Sequence, residues 1–329
     1  MTQNTVLNNA QGTSQITFKG TEDLGGGLKA SFLFENDFDT AKDANNGTGS
    51  VASFGNFGSK GGEQFLAIAG GMGQLQIGAA NTVSLYTQSS SQPFGTKIGG
   101  GFGAANTGRV RIGNSVVYTS PVFAGVKVMA TYANQTLAAK DDTAAGTILQ
   151  GTVATGASTD IGLLYANGPL AAGVSAWTTA ANAVTSAPSA TVAGTASKNT
   201  QTNAYVSYDL GVAKLGLGYF MEKQDATGAA QTANTVVPAK LDSTAYNIGA
   251  TVPLSANLSL LGSYTVKDDK TTLNLDRTVA AIGVKYTFSK MTSVYARYVS
   301  DKIDNMSATA SKLSGKEVTT TLVGMQTNF

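Results

Sequence analysis

The chain has 329 residues, of which 42% are hydrophobic and only 13% are charged, with 39 glycines and neither cysteine nor histidine. A soluble domain usually carries about a quarter charged residues, so this surface would be poorly charged for water. Missing cysteine excludes a disulfide framework, thiolate catalysis and cysteine metal sites, and missing histidine removes the commonest general base and zinc ligand. A net charge of +2, with no basic block interleaved with aromatics, gives no case for nucleic acid. No window approaches about 18 consecutive apolar residues, so no helix is predicted to cross a membrane. Met1 does not open a basic, apolar, then small-residue leader.

Residues 1–14 are polar and rich in Asn, Thr and Gln, and read as a loop. From Gln15 to Asp37 the period is two. Ile16 and Phe18 alternate with Gln15, Thr17 and Lys19, and after Gly25-Gly26-Gly27 the residues Leu28, Ala30, Phe32 and Phe34 alternate with Lys29, Ser31 and Glu35. This is a β-hairpin with one apolar and one polar face, broken only by Leu33. A long Asn-, Gly- and Ser-rich stretch over 38–62 leads to a second pair of strands, 63–70 and 74–80, joined by Gly71-Met72-Gly73.

The same rhythm runs to the end. Short connections fall at Ser120–Gly125, Asn167–Leu170, Asp209–Gly211, Pro253–Ala256 and Ser289–Met291. Long ones fall near 81–112, 135–158, 181–200, 223–243, 267–276 and 301–315. All long loops therefore lie at one end of the strands and all short turns at the other. Tyr246, Ile248, Ala250 and Val252 oppose Ala245, Asn247, Gly249 and Thr251; Ile282, Val284, Tyr286 and Phe288 oppose Ala281, Gly283, Lys285 and Thr287.

Many antiparallel strands with one apolar face make either a soluble sandwich or barrel, or a transmembrane barrel turned inside out. Here the polar face is mostly Gly, Ser, Thr and Asn rather than charge. Ten residues at about 3.3 Å, tilted by about 45°, span roughly the 25 Å apolar band of an outer membrane. Lipid accounts for the apolar face better than a core does. Seven hairpins plus 317–329 give about 15 strands, whereas single-chain bacterial barrels normally have an even number. The expectation is a single all-β domain over 1–329, a 16-stranded transmembrane antiparallel β-barrel, with its first strand and signal preceding Met1. The alternative is that residues 2–10 form a poor first strand.

Several segments together, ITFKGTEDLGGGLKASFLFE (16–35), GQLQIG (73–78), NSVVYTSPVFAGVKVMATY (114–132), YANGPLAAGVSAW (165–177), AYVSYDLGVAKLGLGY (204–219), YTFSKMTSVYARY (286–298) and VGMQTNF (323–329), resemble the trimeric general porins of Gram-negative bacteria, especially those of β-proteobacteria. That resemblance implies passive diffusion of small hydrophilic solutes and ions, a homotrimer in outer-membrane lipid and lipopolysaccharide, no enzyme activity and no cofactor. It implies that the terminal Phe329 is part of the assembly signal. It also implies a third long loop folded inward to narrow the pore, here 81–108, containing Gln92, Pro93, Phe94 and Gly95.

The chain departs from that pattern where relatives often carry wall arginines, since it has Gln15, Ala79 and Val117. The loop has no Asp or Glu and one base, Lys97. Arg109 and Arg111 share parity and are expected to face the lumen, as are Lys19, Lys29, Lys127, Lys285 and Arg297, with Glu35, Asp209 and Glu222 as acidic counterparts. A mild anion preference follows from a basic path. The pairs Glu22-Asp23, Asp141-Asp142 and Asp268-Asp269 read as turn or loop-tip features. The competing function is a surface adhesin or receptor acting through the long loops.

Overall fold

The computed structural model describes residues 7, 10–38, 62–105, 111–133, 155–181, 196–227, 242–271, 274–304 and 317–329. The strands are β1 (Gln15–Gly25), β2 (Leu28–Asp37), β3 (Gln64–Gly70), β4 (Gly73–Ala79), β5 (Ser115–Thr119), β6 (Val126–Ala133), β7 (Thr155–Asn167) and β8 (Leu170–Ala181). They continue with β9 (Ala196–Asp209), β10 (Lys214–Thr227), β11 (Asp242–Pro253), β12 (Leu258–Asp269), β13 (Arg277–Thr287), β14 (Thr292–Ile303) and β15 (Glu317–Thr327). Two short helices, α1 (Val83–Ser89) and α2 (Phe102–Ala105), interrupt the loop between β4 and β5.

All 15 strands form one sheet in sequence order, each antiparallel to the next. Pairing within each hairpin follows from its short turn, which leaves the chain nowhere to go but back along the strand it has just left, and the long connections join one hairpin to the next. The Gly25-Gly26-Gly27 turn has positive φ at all three residues, a conformation that only glycine adopts without strain. Asp23 closes the same turn by accepting the Gly25 N–H at 2.9 Å.

The two faces of the sheet differ as the alternation predicts. Phe18, Phe32, Leu66, Ile68, Leu75, Ile77, Leu217, Ile248, Ile282, Val284 and Val323 are all exposed on one face. On that face Leu66 sits opposite Ile77 and Leu217 opposite Ile248, so the apolar side chains form cross-strand rows. The other face carries the buried residues, among them Val117, Met129, Trp177, Phe220 and Val299. Leu33, the exception to the alternation, belongs here: it pairs with Phe65, which packs under α1.

The two edges of the sheet come close together. The Gln11 side chain donates to Ser293 Oγ at 3.2 Å and to Gln326 Oε1 at 3.1 Å, touching β14 and β15, while the Ser14 carbonyl accepts from Phe38 just after β2. Three residues of chain span at most about 11 Å. The sheet therefore curls back on itself, with the apolar exposed face outward and the loop-bearing face inward. The alternative first strand over 2–10 lies almost entirely outside the described residues.

Candidate functional site

The inner wall is covered from β6 to β14 by the segment that follows β4. Thr82 caps α1, its side-chain oxygen accepting the Leu85 N–H at 3.4 Å. A seven-residue helix is marginal alone, so what holds it is its attachment to the wall. Asp160 of β7 provides the attachment: Oδ2 accepts the Ser84 N–H at 2.8 Å and Oδ1 accepts the Ser84 hydroxyl at 2.7 Å. Asn203 of β9 donates to Ser175 Oγ at 3.0 Å, and Ser175 and Thr87 share a hydroxyl bond at 2.7 Å. Asp160, Asn203 and Thr87 have no solvent exposure at all, and a carboxylate that deep persists only because donors surround it. Val83 packs beside them on Val117 and Met129, with Phe65 and Leu164 closing the cluster.

Beyond α1 the chain makes a run of tight turns: Gln92 N–H to the Ser89 carbonyl, Gly95 N–H to Gln92, Lys97 N–H to Phe94 and Gly100 N–H to Lys97. Gln92 and Phe94 are buried; the Phe94 ring enters an apolar seat of Val279, Ala281 and Val299. Gly101, with φ of +72°, lies so close to Thr265 that any Cβ there would overlap its hydroxyl. Arg297 clamps this part of the segment. Its guanidinium carbon lies 4.7 Å from the Phe94 ring centroid and 5.0 Å from that of Tyr295, and it donates to the Ile98 carbonyl at 2.9 Å and the Ala10 carbonyl at 2.7 Å. Arg297 is only 6% exposed, so it acts as an anchor under the loop rather than as a charge in open water.

Arg111, which forms an isolated bridge with Asn81, stands among carboxylates. Its Nη1 lies 3.9 Å from Glu35 Oε2 and donates to Asn81 Oδ1 at 3.2 Å. Asn81 in turn donates its backbone and side-chain N–H groups to Glu63, both at 2.9 Å. Glu35 also accepts from the Glu63 N–H at 2.7 Å and from Gln15 Nε2 at 3.0 Å. Burial pushes the Glu63 carboxyl above the usual carboxylate range; the Asn81 N–H pulls it down, Glu35 pushes it up and Arg111 pulls it down. Lys97 donates to Thr13 Oγ1 at 2.7 Å, and burial lowers its ammonium, with Asp37 acting in the opposite direction.

Of the residues singled out in the sequence, Arg111 and Glu35 are brought together. Lys19, Lys127 and Lys285 stand on the inner face of widely separated strands, opposite Leu33, Leu164 and Tyr295. Arg109 lies outside the described residues, as does Asp141-Asp142. Phe329 is fully exposed at the chain end. Asp269 is occupied by its own turn, accepting the Leu275 N–H at 2.8 Å and the Thr271 N–H at 3.1 Å. Among the described residues no group of three or more acidic side chains is placed to hold a metal ion.

Sequence reasoning missed Asp160, Glu63 and Asp37. Asp160 was findable by parity alone, since it shares a face with Gly162 and Leu164. Glu63 was not, because only the pairing of Gln64 with Ala79 and the bridge of Asn81 to Arg111 bring it near that arginine.

Comparison with known proteins agrees with this architecture. The Gram-negative porin family model matches residues 2–305. An outer membrane porin protein of Bordetella pertussis is 27% identical over 327 residues, covering 88% of this chain and 77% of its own length. Outer membrane porin protein 32 of Delftia acidovorans is 26% identical over 303 residues, covering 86% and 72%. Among solved structures, an anion-selective porin from Comamonas acidovorans superimposes with a TM-score of 0.75 at 23% identity, covering 98% of this chain and 91% of that one. The trimer form of OmpT of Vibrio cholerae gives 0.62 at 17% identity, covering 95% and 88%. The inverted β-barrel described above is the fold these proteins share, and the chain belongs to the Gram-negative porin family of the outer membrane.

Proposed function

We propose that this porin is a passive diffusion channel for small hydrophilic solutes and ions with a mild anion preference, in which residues 81–108 form an inward-folded constriction loop. The observation that carries the reading is the attachment of that segment to the inner wall at Asp160, at the Phe94 seat and at Arg297. A segment fixed there occupies cross-section that water and solutes would otherwise fill. Transport then needs no chemistry from the protein, only a wet path whose width and charge set the barriers.

Charge supports the anion preference. The loop itself has no acidic residue and carries Lys97; Lys19, Lys127 and Lys285 add positive charge along the inner face, and Arg111 stands where the loop returns to the wall. The carboxylates of Glu35 and Glu63 offset Arg111 locally, which is why the preference is mild. The similar porin from Comamonas acidovorans is anion-selective, which points the same way. A homotrimer, as in the OmpT form, with lipid and lipopolysaccharide against the exposed apolar face, completes the reading.

Single-channel recording of the purified protein under a salt gradient tests it. Stepwise currents in threes and a reversal potential of anionic sign are the expected result. Membrane-inserted, folded protein that never conducts would instead favour a plugged barrel.

A further inference from the structure

Three glycines on the inner face of β10 and β11 are hard to explain as strand residues. Gly216, Gly218 and Gly249 lie in strand interiors, where glycine gives up packing and conformational entropy. Gly216 and Gly249 are direct partners across the two strands, so the wall has two adjacent positions without side chains. That bare patch is where the loop touches down. A Cβ at Gly216 would overlap the Ser91 carbonyl oxygen, and one at Gly249 would come within 2.6 Å of the same oxygen and overlap the Pro93 ring. A Cβ at Gly218 would meet the Phe220 ring and the Ser91 hydroxyl, both at 2.5 Å. The first two obstacles involve backbone, which cannot rotate aside as a side chain can. Ser91 is accordingly only 2% exposed.

We propose that Gly216, Gly218 and Gly249 are specificity-determining positions of the channel: they form a seat that fixes how far the Ser91–Pro93 turn stands off the wall, and so the width left for solutes. The proposal rests on the reading of residues 81–108 as a constriction. The upstream contact at Asp160 and the downstream one at Phe94 hold the loop on either side of the seat, so a side chain added between them lifts this turn toward the lumen rather than releasing the whole segment.

Gly216→Ala and Gly249→Ala in the full-length protein, with Gly262→Ala as control, test the width. A Cβ at Gly262 meets nothing closer than 4.0 Å. Single-channel conductance and liposome swelling with neutral sugars of increasing size are read for each variant. The first two variants are expected to lose conductance and to slow the largest sugar most, with the control unchanged. A second variant tests the contact separately. The chain has no cysteine, so Ser91→Cys/Gly218→Cys introduces the sole thiol pair, and it is expected to form an intrachain disulfide in the folded, membrane-inserted protein. Folded protein that keeps both thiols free under oxidation overturns the seat. A disulfide that forms while both alanine variants keep wild-type conductance and sugar discrimination overturns the control of width, whereas the constriction reading, which rests on the Asp160 and Phe94 attachments, stands or falls by the salt-gradient recording of the wild-type channel.

Discussion

The carboxylate of Asp160 accepts both the backbone N–H and the hydroxyl of Ser84, at 2.8 and 2.7 Å, across 76 residues of sequence. One wall carboxylate thus satisfies two donors at the start of α1, and it does so without any solvent exposure. The inner loop is fastened to the wall at this point.

Asp160→Ala leaves the Ser84 N–H buried without its acceptor, a loss of about 1–3 kcal/mol. The expected consequence is a loosened α1 and noisier open-channel current, with a higher exclusion limit. Asp160→Asn keeps one acceptor oxygen and should fall between the two. Quiet, wild-type current from the alanine variant would show that the loop does not depend on this bond.

Arg111 and Arg297 carry the same charge but occupy different surroundings, so their variants should separate. Arg111→Gln is expected to lower the anion-to-cation permeability ratio. Arg297→Gln removes the cation–π contacts with Phe94 and Tyr295 and the grip on Ile98, and should alter conductance and loop stability while leaving the reversal potential nearly unmoved. Equal shifts in reversal potential would mean that the Arg297 charge reaches the aqueous path.

The outward face makes a stability prediction. Ile282→Arg or Val284→Arg places charge against lipid and should cost about 2–4 kcal/mol near the bilayer midplane. A neutral substitution at Lys285, one residue on and facing inward, should change conductance with little effect on folding. Denaturant titration in lipid vesicles reads the difference, and similar losses at both kinds of position would contradict the inside-out arrangement.

Glu63 should make the loop cluster sensitive to pH. Its folded carboxyl titrates above the usual 4.5, so the folded state binds the proton more tightly than the unfolded one. Its contribution to stability is therefore fully present below pH 4.5 and is lost as pH rises through the raised value. Lys97 works in the opposite sense to acid stabilisation: its lowered ammonium makes the folded state lose stability as pH falls from 10.5 through the lowered value. A thermal-melting series across the acid range should show the first effect, and Glu63→Gln should flatten it.

Much of this protein was fixed by its alternation. Period two over Gln15–Asp37 and its repeats, with apolar Ile282 and Val284 against polar Gly283 and Lys285, decides strand, face and hairpin partner, because a short turn pairs the two strands of each hairpin and parity assigns every side chain to one face. The same parity put Leu33 on the inner face as an apolar exception, and only strand pairing revealed that it sits beside Phe65 there. Parity also placed Arg297 inside the barrel, but could not tell that Phe94 would cover it. The tertiary structure alone decided which residues meet on the inner face: Asp160 with Ser84, Arg111 with Glu35, and Ser91 with Gly216 and Gly249. Those contacts join an irregular loop to strands far away in sequence, and no local period encodes where a loop without a repeat comes to rest. A bare glycine on a strand reads as weakness until the backbone lying against it is seen.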